Sequence, residues 1–177
     1  DGAALYKIFA YSVDSYGNKS KVIEDSVIID QCNYYVDARN QNENPDGSKS
    51  NPFTSFEQCV DVLDKSRYVN IRIFGDVEFP KGKTVFSSNC EISGFENARI
   101  IFPENSSIIV RNSSFIVRNS LLEHKGFSSR QSSFIELQHS VLDFSKCEVM
   151  TSFEKNGTLI NSDKSVIVLN DCGLTIK

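Results

Sequence analysis

Five carboxylates stand among short apolar blocks in the middle and second half of this 177-residue chain: Glu91, Glu123, Glu136, Asp143 and Glu148. Two carboxyl groups held a few ångströms apart can share a proton, divide into acid and base, or flank a glycosidic bond. Glu123 and Glu148 are 25 residues apart. If the chain winds back on itself with that period, they form a surface pair on neighbouring strands. Glu136 and Asp143 belong to successive blocks and point from different faces. No third carboxylate completes a set, so the spacing favours solvated acids, and no residue is assigned a catalytic role.

The remaining chemistry is sparse. His124 and His139 do not occupy matching positions, and a zinc site needs further ligands. His124, Lys125 and Arg130 share the longest polar interval of the second half, residues 124–131, which is a candidate ligand-contacting turn. Asn42, Asn44 and Asp46 place oxygen ligands at alternate positions before Gly47, a partial match to a calcium loop. The acidic residue that should close such a loop is replaced by Phe53. An Asx-rich turn without metal accounts for the same residues, and no cofactor is assigned. The cysteines at 32, 59, 90, 147 and 172 are too widely spaced for a zinc knuckle or a redox pair. They read as buried thiols. Cys147 and Cys172, 25 residues apart, stack within disulfide reach if the period holds.

What positions these residues is a repeat. Apolar blocks, mostly opened by Ser, Thr or Cys, recur through 107–177, among them Ser107–Val110, Ser114–Val117, Ser133–Ile135, Val141–Leu142, Thr158–Ile160 and Val166–Val168. Ile108, Phe134 and Leu159 are separated by 26 and 25 residues, as are Phe115, Val141 and Val166. Both series predict inward ladders. Three strand-length blocks per repeat, with no helix-length apolar stripe between them, predict a parallel β-solenoid. The same pattern extends back to Val85, Ile92 and Ile100 with a shorter period of 22 to 23 residues. Ser113, Ser132, Ser140 and Ser165 fall where strands should open at corners.

Before the repeat, residues 54–65 predict the one helix. Thr54 and Glu57 would form its capping box, and Phe56, Cys59, Val60 and Leu63 its apolar face. Its expected task is to cover the open end of the first coil. Residues 4–29 predict a β-hairpin around the turn-rich Asp14–Asn18.

Two resemblances follow from these stretches. Tyr35-Val36-Asp37, Asp46-Gly47-Ser48 through Pro52-Phe53, and the helix after them resemble the entry to bacterial right-handed parallel β-helix domains of the pectin-lyase-like superfamily. That resemblance covers residues 34–177. It implies an all-β fold, a right-handed parallel β-helix with three strands per coil and an N-terminal capping α-helix. Its lyase members bind calcium through clustered carboxylates, and its hydrolase members stack Asp residues on one sheet; neither cluster is evident here. Tyr6–Asp14 followed by Gly17–Ser20 resembles the last two strands of a bacterial fibronectin type III or related immunoglobulin-like domain. Residues 1–29 thus have two readings, a remnant of such a domain or a hairpin of the solenoid, with residues 30–177 forming the β-helix.

A net charge of −4 gives no electrostatic reason for a nucleic-acid partner, and no stretch reaches the 18 apolar residues of a membrane span. The expectation is a non-catalytic structural or binding module of a secreted or cell-surface bacterial protein, adhesin-like or contacting polysaccharide or a host surface glycan. The rival is the N-terminal part of a polysaccharide lyase or glycoside hydrolase whose active coils lie beyond residue 177. Nothing in the last blocks supplies a cover for their strand edges. That predicts further coils, or end-to-end self-association through the C-terminal coil.

Overall fold

The computed structural model describes residues 4–29, 33–63, 68–128, 132–153 and 157–176. It begins with an antiparallel hairpin. β1 (Ala4–Ala10) pairs with β2 (Ile23–Ile29) in a sheet of two strands, from Ala4 opposite Ile29 to Ala10 opposite Ile23. The connection is fixed by Asp14, whose carboxylate accepts the Tyr16 and Asn18 backbone N–H groups, each at 2.9 Å. Ile8 and Phe9 are adjacent and therefore point to opposite faces, and both are exposed.

The solenoid starts at β3 (Asn33–Asp37), which pairs in parallel with β4. The other edge of β3 is covered by a loop rather than a strand. Tyr35 N–H donates to Gly47 O, Phe53 N–H to Tyr35 O and Asp37 N–H to Phe53 O. Gly47 is required here: its φ is +78°, and a Cβ would stand 2.4 Å from the Phe53 ring.

Helix α1 (Phe56–Leu63) follows. Its capping differs from expectation by one residue. The Gln58 side chain, not Glu57, reaches back, accepting the Thr54 N–H at 2.8 Å and the Ser55 N–H at 3.3 Å. Ser55 thus holds the cap position and Gln58 the third helical position. Residues 64 and 65, the expected end of the helix, lie outside the described residues. Phe56, Cys59 and Leu63 are buried, and the Phe56 ring packs 4.5 Å from Phe79.

The strands then come in parallel sets. β4 (Tyr68–Glu78), β5 (Lys83–Phe86) and β6 (Asn89–Phe102) precede β7 (Ser107–Arg111), β8 (Ser114–Arg118) and β9 (Leu121–Phe127). Next are β10 (Ser133–Gln138), β11 (Val141–Ser145) and β12 (Glu148–Phe153), then β13 (Thr158–Asp163), β14 (Val166–Asn170) and β15 (Gly173–Ile176). β5, β7, β10 and β13 form one sheet. β8, β11 and β14 extend one arm of the long β6, and β9, β12 and β15 extend the other. Every pairing among these strands is parallel, and the fold is a right-handed β-solenoid, the usual hand of parallel crossovers. β6 turns the corner without a break through Glu96 and Asn97, both at positive φ.

The register differs from the sequence expectation on two faces: by one residue at most positions, including Val85, which lies beside Ile109 and not Ile108, and by two at Ile92, which lies beside Val117 and not Phe115. Ile108 lies beside Ile135 rather than Phe134, and Phe115 beside Leu142 rather than Val141. The true columns are Cys90–Phe115–Leu142–Ile167, Ile92–Val117–Phe144–Leu169 and Ile100–Leu122–Val149–Leu174. Val141 and Val166, expected inside, are 38% and 57% exposed. Side chains alternate with period two, so a slip of one residue exchanges the inner and outer sets. Ile100 and Leu122 were in register as expected.

The set-to-set offset changes from 27 residues, Phe115 to Leu142, to 25, Leu142 to Ile167, while the corners keep a constant length. The corners within β7–β15 are two residues long. The first residue takes positive φ: Asn112, His139 and Lys164 on one edge, Asn119, Lys146 and Asp171 on the other. The second is a serine or cysteine; at four of the six corners it bonds a carbonyl of the set before it, while Ser120 and Ser165 donate to Arg118 O and Asp163 O of their own set. Ser113 Oγ donates to Phe86 O (3.0 Å) and Ser140 Oγ to Val110 O (2.9 Å). Cys147 and Cys172 serve the same purpose, their thiols donating to Val117 O and Phe144 O at 3.2 Å. Both are free thiols, as are the buried Cys59 and Cys90; Cys32 lies outside the described residues. The variable-length part is the return from β9 to β10 and from β12 to β13.

Candidate functional site

The outward carboxylates are built into ion-pair ladders. Glu123 accepts Arg99 Nη1 at 3.0 Å and is also bonded by Lys125, while Arg99 reaches on to Asp76. The Lys125 hydrogen bond, then the charges of Lys125 and Arg99, hold the Glu123 carboxyl below its usual range. On the other arm, Arg118 donates to Glu91 at 3.1 Å and lies 3.7 Å from Asp143; Tyr68 O–H also donates to Glu91, at 3.1 Å. The two triads, Asp76–Arg99–Glu123 and Glu91–Arg118–Asp143, alternate in sign from coil to coil. A sequence signal for them exists: each Arg sits one solenoid period from an acid on both sides.

Glu123 and Glu148 share the outer face but are not opposite one another. Glu123 lies beside Met150, and Glu148 beside Leu121 and Gly173. They are diagonal neighbours, about 7–8 Å apart at the backbone.

The 124–131 interval is not one turn, because residues 124–127 belong to β9. Lys125 points outward to Glu123. His124 points inward and is buried, and its ring stacks on Phe134 at 4.4 Å between centroids. Arg130 lies outside the described residues. What the interval does border is a groove of about 370 Å³, lined by Lys83, Asn105, Ser107, Phe127, Ser128, Ser132, Ser133 and Glu136. It crosses the rim where β5, β7 and β10 begin, so its lining comes from three successive sets. Asn105, at φ +63°, ties the two walls together: its Oδ1 accepts the Ser128 N–H at 2.9 Å and its backbone N–H donates to Gly126 O at 2.9 Å. Four serine hydroxyls, one amide, one ammonium and one carboxylate line the groove, with the Phe127 ring among them. That lining offers donors and acceptors for a hydroxyl-rich ligand. A pair of catalytic carboxyls would need a second acid about 5–10 Å from Glu136, and none is among the lining residues.

Asn42, Asn44 and Asp46 serve the turn that covers β3. Asp46 Oδ1 accepts the Ser48 N–H at 2.9 Å, which holds its carboxyl below the usual range, and Asn44 O accepts Asn51 Nδ2 at 3.0 Å. Asn42 N–H bonds to Asn40 Oδ1 at 3.1 Å. Among the described residues no group of three or more His, Cys, Asp or Glu side chains converges to hold a metal. No helix among them is long and apolar enough to cross a membrane.

No protein-family model, curated protein or solved structure matches this chain.

Proposed function

We propose that this chain is a non-catalytic binding module of a secreted or cell-surface protein, and that it holds an extended polysaccharide or surface glycan along the groove between Lys83 and Glu136. The observation that carries the reading is the groove's lining, seven polar side chains and one aromatic ring on strand ends and turns. A sugar presents hydroxyls in directions that serine hydroxyls, an amide and two charged groups can meet, and its C–H face packs on an aromatic ring. The ion-pair ladders support the non-catalytic part, because Arg99, Lys125 and Arg118 neutralise the acids with which a hydrolase would work.

The architecture that fits this role is a pectin-lyase-like β-helix with three strands per coil. Helix α1 and the 45–53 loop act as its N-terminal cap, with residues 1–29 as a separate hairpin unit. Phe56 on Phe79, and Phe79 on Phe102 at 4.4 Å, support the capping role.

Binding to a panel of neutral and acidic hexasaccharides, followed by calorimetry, tests the reading. At least one class should bind, and the double variant Lys83→Ala with Glu136→Ala should weaken it about tenfold or more, a loss of about 1.4 kcal/mol. Glu148→Ala should bind as the parent does. No binding by any saccharide, or equal binding by the double variant, removes the groove as the site.

A further inference from the structure

Lys83 and Glu136 are the two charged members of the groove lining. Both stand on the outer face of the sheet formed by β5, β7, β10 and β13, where they alternate with the buried Thr84 and Leu137. Lys83 lies beside Ser107 of β7, and Glu136 beside Ile109, two residues farther along that strand. Their backbones are therefore two strand spacings apart across the sheet and two residues apart along it, about 11–12 Å in all. Among the described residues neither is in an ion pair, whereas Glu91, Glu123 and Asp143 each meet an arginine. Across such a distance, beyond the screening length of about 8 Å in physiological salt, the two charges compensate each other little.

We propose that the groove selects a dipolar saccharide: an extended chain with a carboxylate on one sugar, met by Lys83, and a free amine, as its ammonium, on another, met by Glu136. The inference rests on the groove being the binding site. A ligand laid between these residues takes both out of water, and covering a charge is unfavourable unless a counter-charge or several good hydrogen bonds replace that water. A neutral sugar offers hydroxyls alone. A uniformly acidic chain gains at Lys83 and is repelled at Glu136, and a uniformly basic chain meets the reverse. Opposite charges on the ligand, roughly two sugar rings apart, gain at both ends. The saccharide then crosses the strands, along the axis on which the sets stack, with Ser107 midway.

The charges nearby leave this pattern in place. Lys81 and Glu57 line a separate groove, which Lys83 also borders, and they are opposite in sign. Two residues along the strands from Glu136, Arg111 lies beside Gln138 and Gln138 beside Asp163, so that row also carries one charge of each sign. Lys125 and Glu123 bond each other.

The test is calorimetry of the full chain at about pH 6, where amines and carboxylates are both charged. Four hexasaccharides of equal length serve as probes: N-acetylglucosamine (neutral), galacturonate (anionic), glucosamine (cationic), and alternating glucuronate and glucosamine (dipolar). The dipolar probe should bind about tenfold more tightly than each of the others, and the advantage should shrink in 0.5 M salt. The single variants should then diverge. Lys83→Ala should bind the cationic probe as well as the dipolar one, and Glu136→Ala should bind the anionic probe as well as the dipolar one. Both side chains face outward, so each variant should keep the parent's cooperative unfolding. A dipolar probe that binds no better than the neutral one, or single variants that weaken all four probes alike, overturns the dipolar selection. If the neutral probe binds and the double variant loses it, the groove still stands as a saccharide site. If no probe binds, or the double variant binds as the parent does, the groove reading falls and the selection with it.

Discussion

The β10–β12 set and the β13–β15 set carry nearly the same inward pattern, yet they are not equally buried. Leu142 is fully buried and its neighbour in the same column, Ile167, is 40% exposed; Val149 is 5% exposed and Leu174 54%. The difference comes from stacking. β10–β12 is covered by strands on both sides, whereas β13–β15 is paired on one side among the described residues. Around β13–β15 the interior opens into a cavity of about 300 Å³, lined among others by Phe144, Leu159, Ile160, Leu169 and Cys172. An inward residue in a solenoid is half a core residue until the next set closes over it.

The sharpest way to break this comparison is a matched pair of substitutions in one column. Leu142→Asp should abolish cooperative urea unfolding, whereas Ile167→Asp should leave a cooperative transition at a lower midpoint. The milder pair, Leu142→Ala and Ile167→Ala, should cost about 2–5 kcal/mol and about 1 kcal/mol respectively. Equal losses at the two positions would show that the last set is covered in solution.

The glycines give the same comparison through the backbone. A Cβ on Gly94 would lie 2.3 Å from Asn119 O of the set above it, and one on Gly126, at φ +100°, 2.5 Å from Ser152 O. Gly173, beside β12 alone among the described residues, would place its Cβ at an ordinary 3.6 Å from Glu148. Alanine at position 94 or 126 should therefore destabilise by about 2 kcal/mol or more. At position 173 it should change the thermal midpoint by no more than the equivalent of about 0.5 kcal/mol.

The smallest effects belong to the outer surface. Arg118→Ala separates Glu91 from Asp143, two partly exposed partners, and should cost about 0.5–1 kcal/mol, less in 1 M salt. Glu148→Ala should fall within about 0.5 kcal/mol of the parent. A larger loss at Glu148 than at Arg118 would mean that the ladders do not organise this face.

Part of the candidate site was legible before folding. The 124–131 interval stands out by length and polarity, and it does border the groove. Lys83 and Asn105, on the opposite wall, lie 41 and 19 residues before that interval, and only the stacking of β5, β7 and β10 brings them there. His124 looked like a turn residue because its neighbours in sequence are polar. Its actual neighbours are Phe127, Phe134 and Thr151, two of them from the next set.

The amino-acid sequence by itself determined the class of fold. Short apolar blocks recurring at a near-constant offset, without a helical stripe between them, suit a chain that buries its strands by stacking on itself. It also determined the helix and the corner serines, since capping and turn chemistry are local. Only the tertiary structure decided the register. Phe115–Val117 and Val141–Leu142 are compatible with two alignments one residue apart. The choice falls to corner and return lengths, and to whether Ser113 and Ser140 can reach the carbonyls of the set before them. Because side chains alternate with every residue, that single step decided which acids meet an arginine, which valines face water, and which histidine lies behind the groove.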